Sequence, residues 1–175
     1  VYKIIFGFPV AIALALMLNE VANKRLKSIV QTISAVPHFV SWVVIAGIMT
    51  AMLSPTSGPV NEALKLAGLR PVFFLGSKQW FRPLLVMSEM WKESGWSAII
   101  YLAAMAGIDP ELYEAARVDG ASKYRQMVSV TLPCIRATIA VLFILRVGNI
   151  LNAGFEQVFT LINPLVMSVG DIVDT

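Results

Sequence analysis

Four long apolar stretches, separated by polar loops, constrain the fold of this chain more than any other feature. A membrane-spanning helix needs about 20 mostly apolar residues, because the hydrocarbon core is about 30 Å thick and each helical residue rises about 1.5 Å. Hydrophobic residues make up 57% of the chain and charged residues 14%, whereas a soluble domain carries about 25% charged residues. The sequence therefore predicts an all-α integral membrane protein, a polytopic helical bundle with about four spans. The predicted spans are approximately 3–20, 36–53, 84–107 and 134–152.

The orientation of these spans is predicted from the basic loop after the first one. Lys24, Arg25 and Lys27 lie close together in a short loop, and short basic loops are retained on the cytoplasmic side. Alternation then places the segment 54–83 outside, the segment 108–133 inside, and the chain from Ala153 onward outside. We expect a multi-pass protein surrounded by membrane lipid.

The net charge and the cysteine content exclude several other classes. The net charge of +3 does not indicate a nucleic-acid partner, because the cations lie at loop edges and no basic stripe alternates with aromatic residues. The single Cys134 cannot form an intramolecular disulfide and has no metal-ligand partner nearby in sequence. We predict no metal site and no nucleic-acid binding, and we expect Cys134 to be a packed core thiol.

The polar segment 108–133 is predicted to fold as helix, turn and helix. Asp109 has the side chain of an N-cap residue, and Gly120 tolerates the left-handed conformation that ends a helix. Ser122 is suited to cap a second helix, which Pro133 is expected to terminate before the next apolar stretch.

The residues of this segment resemble a known family. Glu114-Ala115-Ala116, then Asp119-Gly120-Ala121, then Leu132-Pro133 are similar in type and spacing to the "EAA loop" of membrane subunits of binding-protein-dependent ABC importers. Met127 departs from the pattern, since the family usually has an aromatic residue there. The resemblance extends from about Ile4 to the C-terminus. Two further stretches resemble the sugar-importing branch: Val36-Pro37-His38-Phe39-Val40-Ser41-Trp42 and Trp91-Lys92-Glu93-Ser94-Gly95.

The resemblance implies a type I (MetI-like) permease fold in the plasma (inner) membrane of a prokaryote. It implies a permease subunit of an ATP-driven importer, for sugars or oligosaccharides, that forms the translocation path. The implied partners are cytoplasmic ABC ATPase subunits, a second homologous permease subunit and an extracytoplasmic substrate-binding protein. In the coupling loop, the resemblance implies that Glu114 makes a polar contact with the ATPase, that Ala115 and Ala116 allow close approach, and that Gly120 sets the bend.

The chain contains no Gly-rich phosphate-binding loop followed by Lys-Ser or Lys-Thr. We therefore expect it to be non-catalytic and to bind no cofactor itself, with ATP bound and hydrolysed by the partner ATPase. The alternative function is an ATP-independent channel or facilitator for small solutes, which would transport in vesicles without nucleotide. The chain starts at Val1 and ends at Thr175 in a polar stretch, so we expect one permease domain over 1–175, truncated at both ends.

A set of polar residues lies within the third and fourth predicted spans. Four of them follow the i, i+3, i+4, i+7 spacing of one helix face, and two mark the fourth span. Charges in spans normally face a bundle interior or a water-filled cavity, so two interpretations stay open: a wall of the translocation path, or an ion-paired network between helices. The six residues are Glu89, Lys92, Glu93, Trp96, Arg146 and Asn149.

Three finer expectations concern single residues. From their similar depth in the membrane, Glu93 and Arg146 are expected to pair. His38, at the entrance of the second span, is expected to have a structural role. In the external segment, Asn61 is expected to cap a short helix over 62–67 that Gly68 closes.

Overall fold

A computed structural model describes residues 2–149 and 154–170, and these residues form helices and loops without a strand. The prediction of an all-α protein is confirmed. The chain divides into two compact units, one built from residues 2–38 and 90–148 and the other from residues 39–89, 149 and 154–170. The helices in chain order are α1 (Tyr2–Glu20), α2 (Lys24–Ala35), α3 (Trp42–Met52), α4 (Pro59–Leu66), α5 (Lys78–Ala106), α6 (Pro110–Val118), α7 (Lys123–Gln126), α8 (Leu132–Cys134), α9 (Arg136–Gly148), α10 (Phe155–Leu161) and α11 (Met167–Gly170).

The core of the first unit lies between α1, the second half of α5 and the region where α9 begins. Small residues in this core allow the helix backbones to approach closely. Close approach strengthens the van der Waals contacts, on which helix association depends in a membrane because the lipid tails are as apolar as the side chains. Phe8 adds edge-to-face contacts with Tyr101 and Phe143, with ring centroids 6.3 and 5.3 Å apart. The buried residues of this core are Ala11, Ala15, Leu18, Ala98, Tyr101, Leu102, Met105 and Ile135.

Helix α2 begins at a capped end and crosses α5 at very close range. The side chain of Asn23 accepts hydrogen bonds from the backbone N–H groups of Arg25 and Leu26, at 3.0 and 3.2 Å. After Ala35 the chain tightens into the 3₁₀ turn Val36–Phe39. Gly95 of α5 faces the end of α2 so closely that a Cβ at this position would lie 1.9 Å from the carbonyl oxygen of Ser34. Only glycine fits this crossing.

The core of the second unit includes residues of α3, the first half of α5 and α10. The buried side chain of Gln157 donates hydrogen bonds to the carbonyl oxygen of Leu85 and to Oγ of Ser88, both at 2.8 Å. These bonds satisfy polar groups that would be costly to bury alone. The buried apolar residues of this core are Ala46, Leu75, Phe81, Leu85, Val158, Leu161 and Val166.

Asn61 does not cap the helix of the segment predicted to be external, so that prediction was wrong. Helix α4 begins three residues earlier than predicted, with Gly58 as its N-cap residue and Pro59 as its first residue. Asn61 points inward and is 1% exposed. Its Nδ2 donates to three carbonyl oxygens at 3.0–3.2 Å and its Oδ1 accepts from the N–H of Val72 at 2.7 Å. Gly68 does close the helix, with a φ of +76°.

The helices correspond to the predicted spans to different degrees. Helix α1 coincides with the span 3–20, and α5 begins six residues before the span 84–107. The span 36–53 contains a break at residues 40 and 41, and α9 covers residues 136–148 of the span 134–152, whose last residues lie outside the described part. The number of spans stays a prediction.

By length and composition, α1 is the one helix among the described residues that qualifies by itself as a membrane span. The number rises to as many as three if each of two interrupted helix pairs, 24–52 and 123–148, is counted as one span.

One prediction at the start of the predicted fourth span was wrong. Cys134 is exposed, because it lies on the outer side of the short helix α8 while Ile135 points into the core at 1% exposure. The helix that Ser122 caps ends at Cys134, one residue after the predicted Leu132-Pro133, and the chain bends by 63° before α9. Between Lys123 and Cys134 it stays helical and widens into a π-helical segment, Met127–Thr131, just before the proline.

Candidate coupling loop and intramembrane polar cluster

The segment 108–133 folds as the predicted helix, turn and helix. The Asp109 side chain accepts a hydrogen bond from the N–H of Glu111 at 3.0 Å, and α6 follows. Gly120 adopts a φ of +73°, a conformation that glycine reaches without steric cost. The Ser122 side chain then accepts from the N–H of Arg125 at 3.4 Å and caps α7. The local interpretation of Asp109, Gly120 and Ser122 is confirmed.

Helix α6 presents one face to the surroundings and the other to the rest of the first unit. Glu114 and Ala115 are exposed, Leu112 is 46% exposed and Val118 is 88% exposed. Tyr113 and Ala116, three residues apart, are only partly exposed and face inward. An apolar, exposed stripe at helical spacing is suited to a groove in another protein.

The remaining residues of the predicted coupling set frame this helix. Asp119 is exposed and ends α6, and Ala121 is partly exposed after the turn. Leu132 is partly exposed and packs against the core of the first unit, while Pro133 is exposed.

Three side-chain contacts that the sequence did not reveal hold the loop in place. The hydroxyls of Tyr113 and Thr131 are 2.9 Å apart. Gln126, 4% exposed, donates from Nε2 to the carbonyl oxygen of Ala121 at 2.8 Å. Lys123 forms an ion pair of 3.3 Å with Glu20 at the end of α1. The inward spacing of Tyr113 and Ala116 was the only sequence signal for these contacts.

The π-helical segment has a physical cause in Pro133. Proline has no N–H, and its ring clashes with the carbonyl four residues earlier, here that of Ser129. One wide turn avoids the clash: the N–H of Leu132 bonds to the carbonyl oxygen of Met127, five residues back. Ordinary α-helical bonding resumes when the N–H of Ile135 bonds to Thr131 at 3.2 Å.

Three of the predicted intramembrane residues converge on the 3₁₀ turn Val36–Phe39, which we call the latch turn. Lys92, 7% exposed, donates from Nζ to the carbonyl oxygens of Pro37 and His38 at 3.3 and 2.6 Å. Oε2 of Glu93 lies 3.1 Å from Nδ1 of His38. The ring of His38 stacks on Trp96 with centroids 4.9 Å apart and planes inclined by 5°. The expected structural role of His38 agrees with these contacts.

Glu93 therefore pairs with His38 and not with Arg146, and the pairing predicted from depth was wrong. Equal depth fixes the level of two side chains along the membrane normal but not the direction in which each helix points them. Arg146 of α9 points toward α1, where its Nη2 lies 3.6 Å from the position that a Cβ on Gly7 would take. Glu89 and Asn149 belong to the second unit.

Within residues 2–149 and 154–170, no group of three or more His, Cys, Asp or Glu side chains is placed to hold a metal ion. The candidate site has two features: an exposed helix held by a few polar contacts, and charged side chains on largely apolar helices.

The chain belongs to the family of binding-protein-dependent transport system inner membrane components, which its residues 7–173 match. Two curated relatives from Bacillus subtilis (strain 168) are 46% identical to it. Protein LplB aligns over 172 residues, 98% of this chain and 54% of LplB. The polygalacturonan/rhamnogalacturonan transport system permease protein YteP aligns over 168 residues, 96% of this chain and 52% of YteP. The chain thus spans about half the length of these relatives.

Two solved structures share the fold. One is the crystal structure of a bacterial ABC transporter involved in the import of the acidic polysaccharide alginate, with a TM-score of 0.96 and 47% identity over 99% of this chain and 60% of the matched chain. The other is a bacterial alginate ABC transporter in complex with an alginate pentasaccharide-bound periplasmic protein, with a TM-score of 0.94 and 47% identity over 97% of this chain and 59% of that chain. These similarities confirm the MetI-like permease fold and the predicted family.

Proposed function

We propose that this chain is part of a multi-pass permease subunit of an ATP-driven importer for carbohydrates in the prokaryotic plasma membrane. Helix α6 carries this proposal, because it exposes Leu112, Ala115 and Val118 on one face in a chain that belongs to a family of transport components. An exposed apolar stripe on a cytoplasmic helix is suited to bind in a hydrophobic groove of another protein, and in this proposal that protein is the cytoplasmic ATPase. The motion of the ATPase is then transmitted by rigid-body coupling.

The carbohydrate substrate is supported by the relatives. YteP is named for polygalacturonan and rhamnogalacturonan transport, and the matched structures belong to alginate importers. Oligosaccharides of acidic sugars are therefore the substrates to test first. Glu89, Lys92, Glu93, Trp96, Arg146 and Asn149 are the proposed polar residues of the translocation path or of the helix network that shapes it.

The proposed assembly has a second homologous permease subunit, cytoplasmic ATPase subunits and an external binding protein. In one of the matched structures the transporter is bound to a periplasmic protein. In this assembly the permease is non-catalytic and binds no cofactor, and ATP is bound by the ATPase subunits. Glu114 contributes the polar contact to the ATPase, and Gly120 sets the angle at which α6 is presented.

Cysteine protection tests the docking face directly. In a Cys134→Ser background, Val118→Cys should react with a membrane-impermeant thiol reagent from the cytoplasmic side, and association of the ATPase should protect it. The matched control is Leu66→Cys on α4, since Leu66 is 91% exposed and lies in the segment predicted to be external. It should react from outside only, with or without the ATPase.

Three results would contradict the proposal. They are no protection of Val118→Cys by the ATPase, the opposite sidedness of the two labels, or sugar transport in vesicles that contain no nucleotide. The last result would instead favour the passive facilitator.

A further inference from the structure

Helix α6 has few contacts that hold it to the rest of the first unit. None of its residues is buried. Among the side chains of α6, Tyr113 alone makes a hydrogen bond to a residue outside this helix, within the part of the chain that the structure describes. Its hydroxyl lies 2.9 Å from that of Thr131, 18 residues further along.

The two ends of this bond differ in character. Tyr113 is the residue before Glu114, and its side chain lies on the face of α6 opposite the exposed stripe. Thr131 is 1% exposed and is the last residue of the π-helical segment Met127–Thr131. A displacement of α6 therefore reaches a buried point through this bond.

The buried point is where the helical hydrogen bonding changes from five-residue to four-residue spacing on the way into α9. A π-turn has fewer well-formed bonds per residue than an α-helix and is often found at functional sites. Its backbone shifts at lower cost than a regular helix because Pro133 has already removed one bond from the ladder.

We infer that the Tyr113–Thr131 hydrogen bond is a positioning contact that transmits the movement of α6 to the π-helical segment and thus to α9. This inference rests on the proposed coupling function. The exposed face of α6 receives the ATPase, and the inward hydroxyl of Tyr113 pulls or pushes Thr131. The π-helical segment shifts with Thr131 and carries the displacement into the start of α9.

The test uses the complete importer in proteoliposomes with its ATPase, second permease subunit and binding protein. The variants are Tyr113→Phe and Thr131→Val, which remove one hydroxyl each, their combination, and Thr131→Ser, which keeps the hydroxyl. The readout is the amount of sugar transported per ATP hydrolysed. Tyr124→Phe is the matched control, because Tyr124 is 73% exposed on α7.

Tyr113→Phe and Thr131→Val should each lower the transport per ATP by about two- to tenfold, the factor that one net hydrogen bond accounts for. The double variant should be no worse than either single variant, since both remove the same bond. Thr131→Ser and Tyr124→Phe should match the wild type. Protection of Val118→Cys by the ATPase should persist in every variant.

The inference is overturned if Tyr113→Phe transports as much per ATP as the wild type, if the two single losses add, or if Thr131→Ser is as defective as Thr131→Val. It is also overturned if Tyr113→Phe abolishes ATPase docking, because the bond would then hold α6 itself rather than transmit its motion. If the wild-type complex transports without ATP, the proposed function fails independently of these variants.

Discussion

Replacing Gly95 with alanine should destabilise the first unit, because α2 leaves no room for a side chain on this face of α5. A Cβ at Gly95 would lie 1.9 Å from the carbonyl oxygen of Ser34 and 2.9 Å from the amide nitrogen of Ala35. Both atoms belong to the backbone, so no rotamer change relieves the overlap. The helices would have to separate by about 1.1 Å for the first contact to reach even 3.0 Å, below which real Cβ contacts are essentially never found.

The magnitude follows from two opposing effects. Overpacking that forces a backbone shift costs typically 1–3 kcal/mol, and a helix-on-helix overlap belongs at the upper end. Alanine in a helix interior stabilises the folded state by about 0.5–1 kcal/mol relative to glycine. The net loss is about 2 kcal/mol, which corresponds to a fall in Tm of roughly 4–8 °C at about 2–4 °C per kcal/mol. The same separation would stretch the 2.6 Å bond from Lys92 to His38.

Thermal unfolding of the purified complex in detergent measures the effect. Gly47→Ala in α3 is the matched control, because nothing lies within 4 Å of the Cβ it would add, and its Tm should be unchanged or slightly higher. If Gly95→Ala is as stable as Gly47→Ala, the close crossing of α2 and α5 does not exist in the protein and the argument fails.

Three further substitutions test other parts of the chain. Gly120→Val should abolish transport with the subunit still inserted in the membrane, because a β-branched residue resists a φ of +73°. Gly120→Asn should retain much of the transport activity. Equal activity of the two variants would refute the role of Gly120 in setting the bend after α6. Lys92→Met should lower the Tm and the yield of the subunit, because the carbonyl oxygens of Pro37 and His38 lose their buried hydrogen-bond donor. An unchanged Tm would show that these two hydrogen bonds do not stabilise the latch turn. Asn61→Ala should make the segment 54–76 sensitive to protease added from outside, since four hydrogen bonds are lost at a buried position. If the variant resists the protease as well as the wild type does, the Asn61 hydrogen bonds do not hold this segment together.

The helical class, the family and the local shape of the coupling loop were predictable from the sequence. Apolar stretches of about 20 residues leave few alternatives to a helix in a membrane, because every backbone polar group must be satisfied within the segment. Asp109, Gly120 and Ser122 act on their own neighbours, and local rules of capping and backbone conformation are sufficient for such residues. The same rules do not depend on what packs against the loop.

Contacts between distant segments were decided only by the tertiary structure. The partner of Glu93 is His38, 55 residues away, and depth along the membrane did not reveal the direction in which each side chain points. Asn61 looked like a cap because its type suits that role, yet its buried amide makes four hydrogen bonds to three residues on either side of α4, namely Leu53, Ser54 and Val72. Gly95 looked like an ordinary helical glycine until α2 was placed against it. In each case the outcome depends on which backbone approaches the residue, and that is a property of the packed helices rather than of the local sequence.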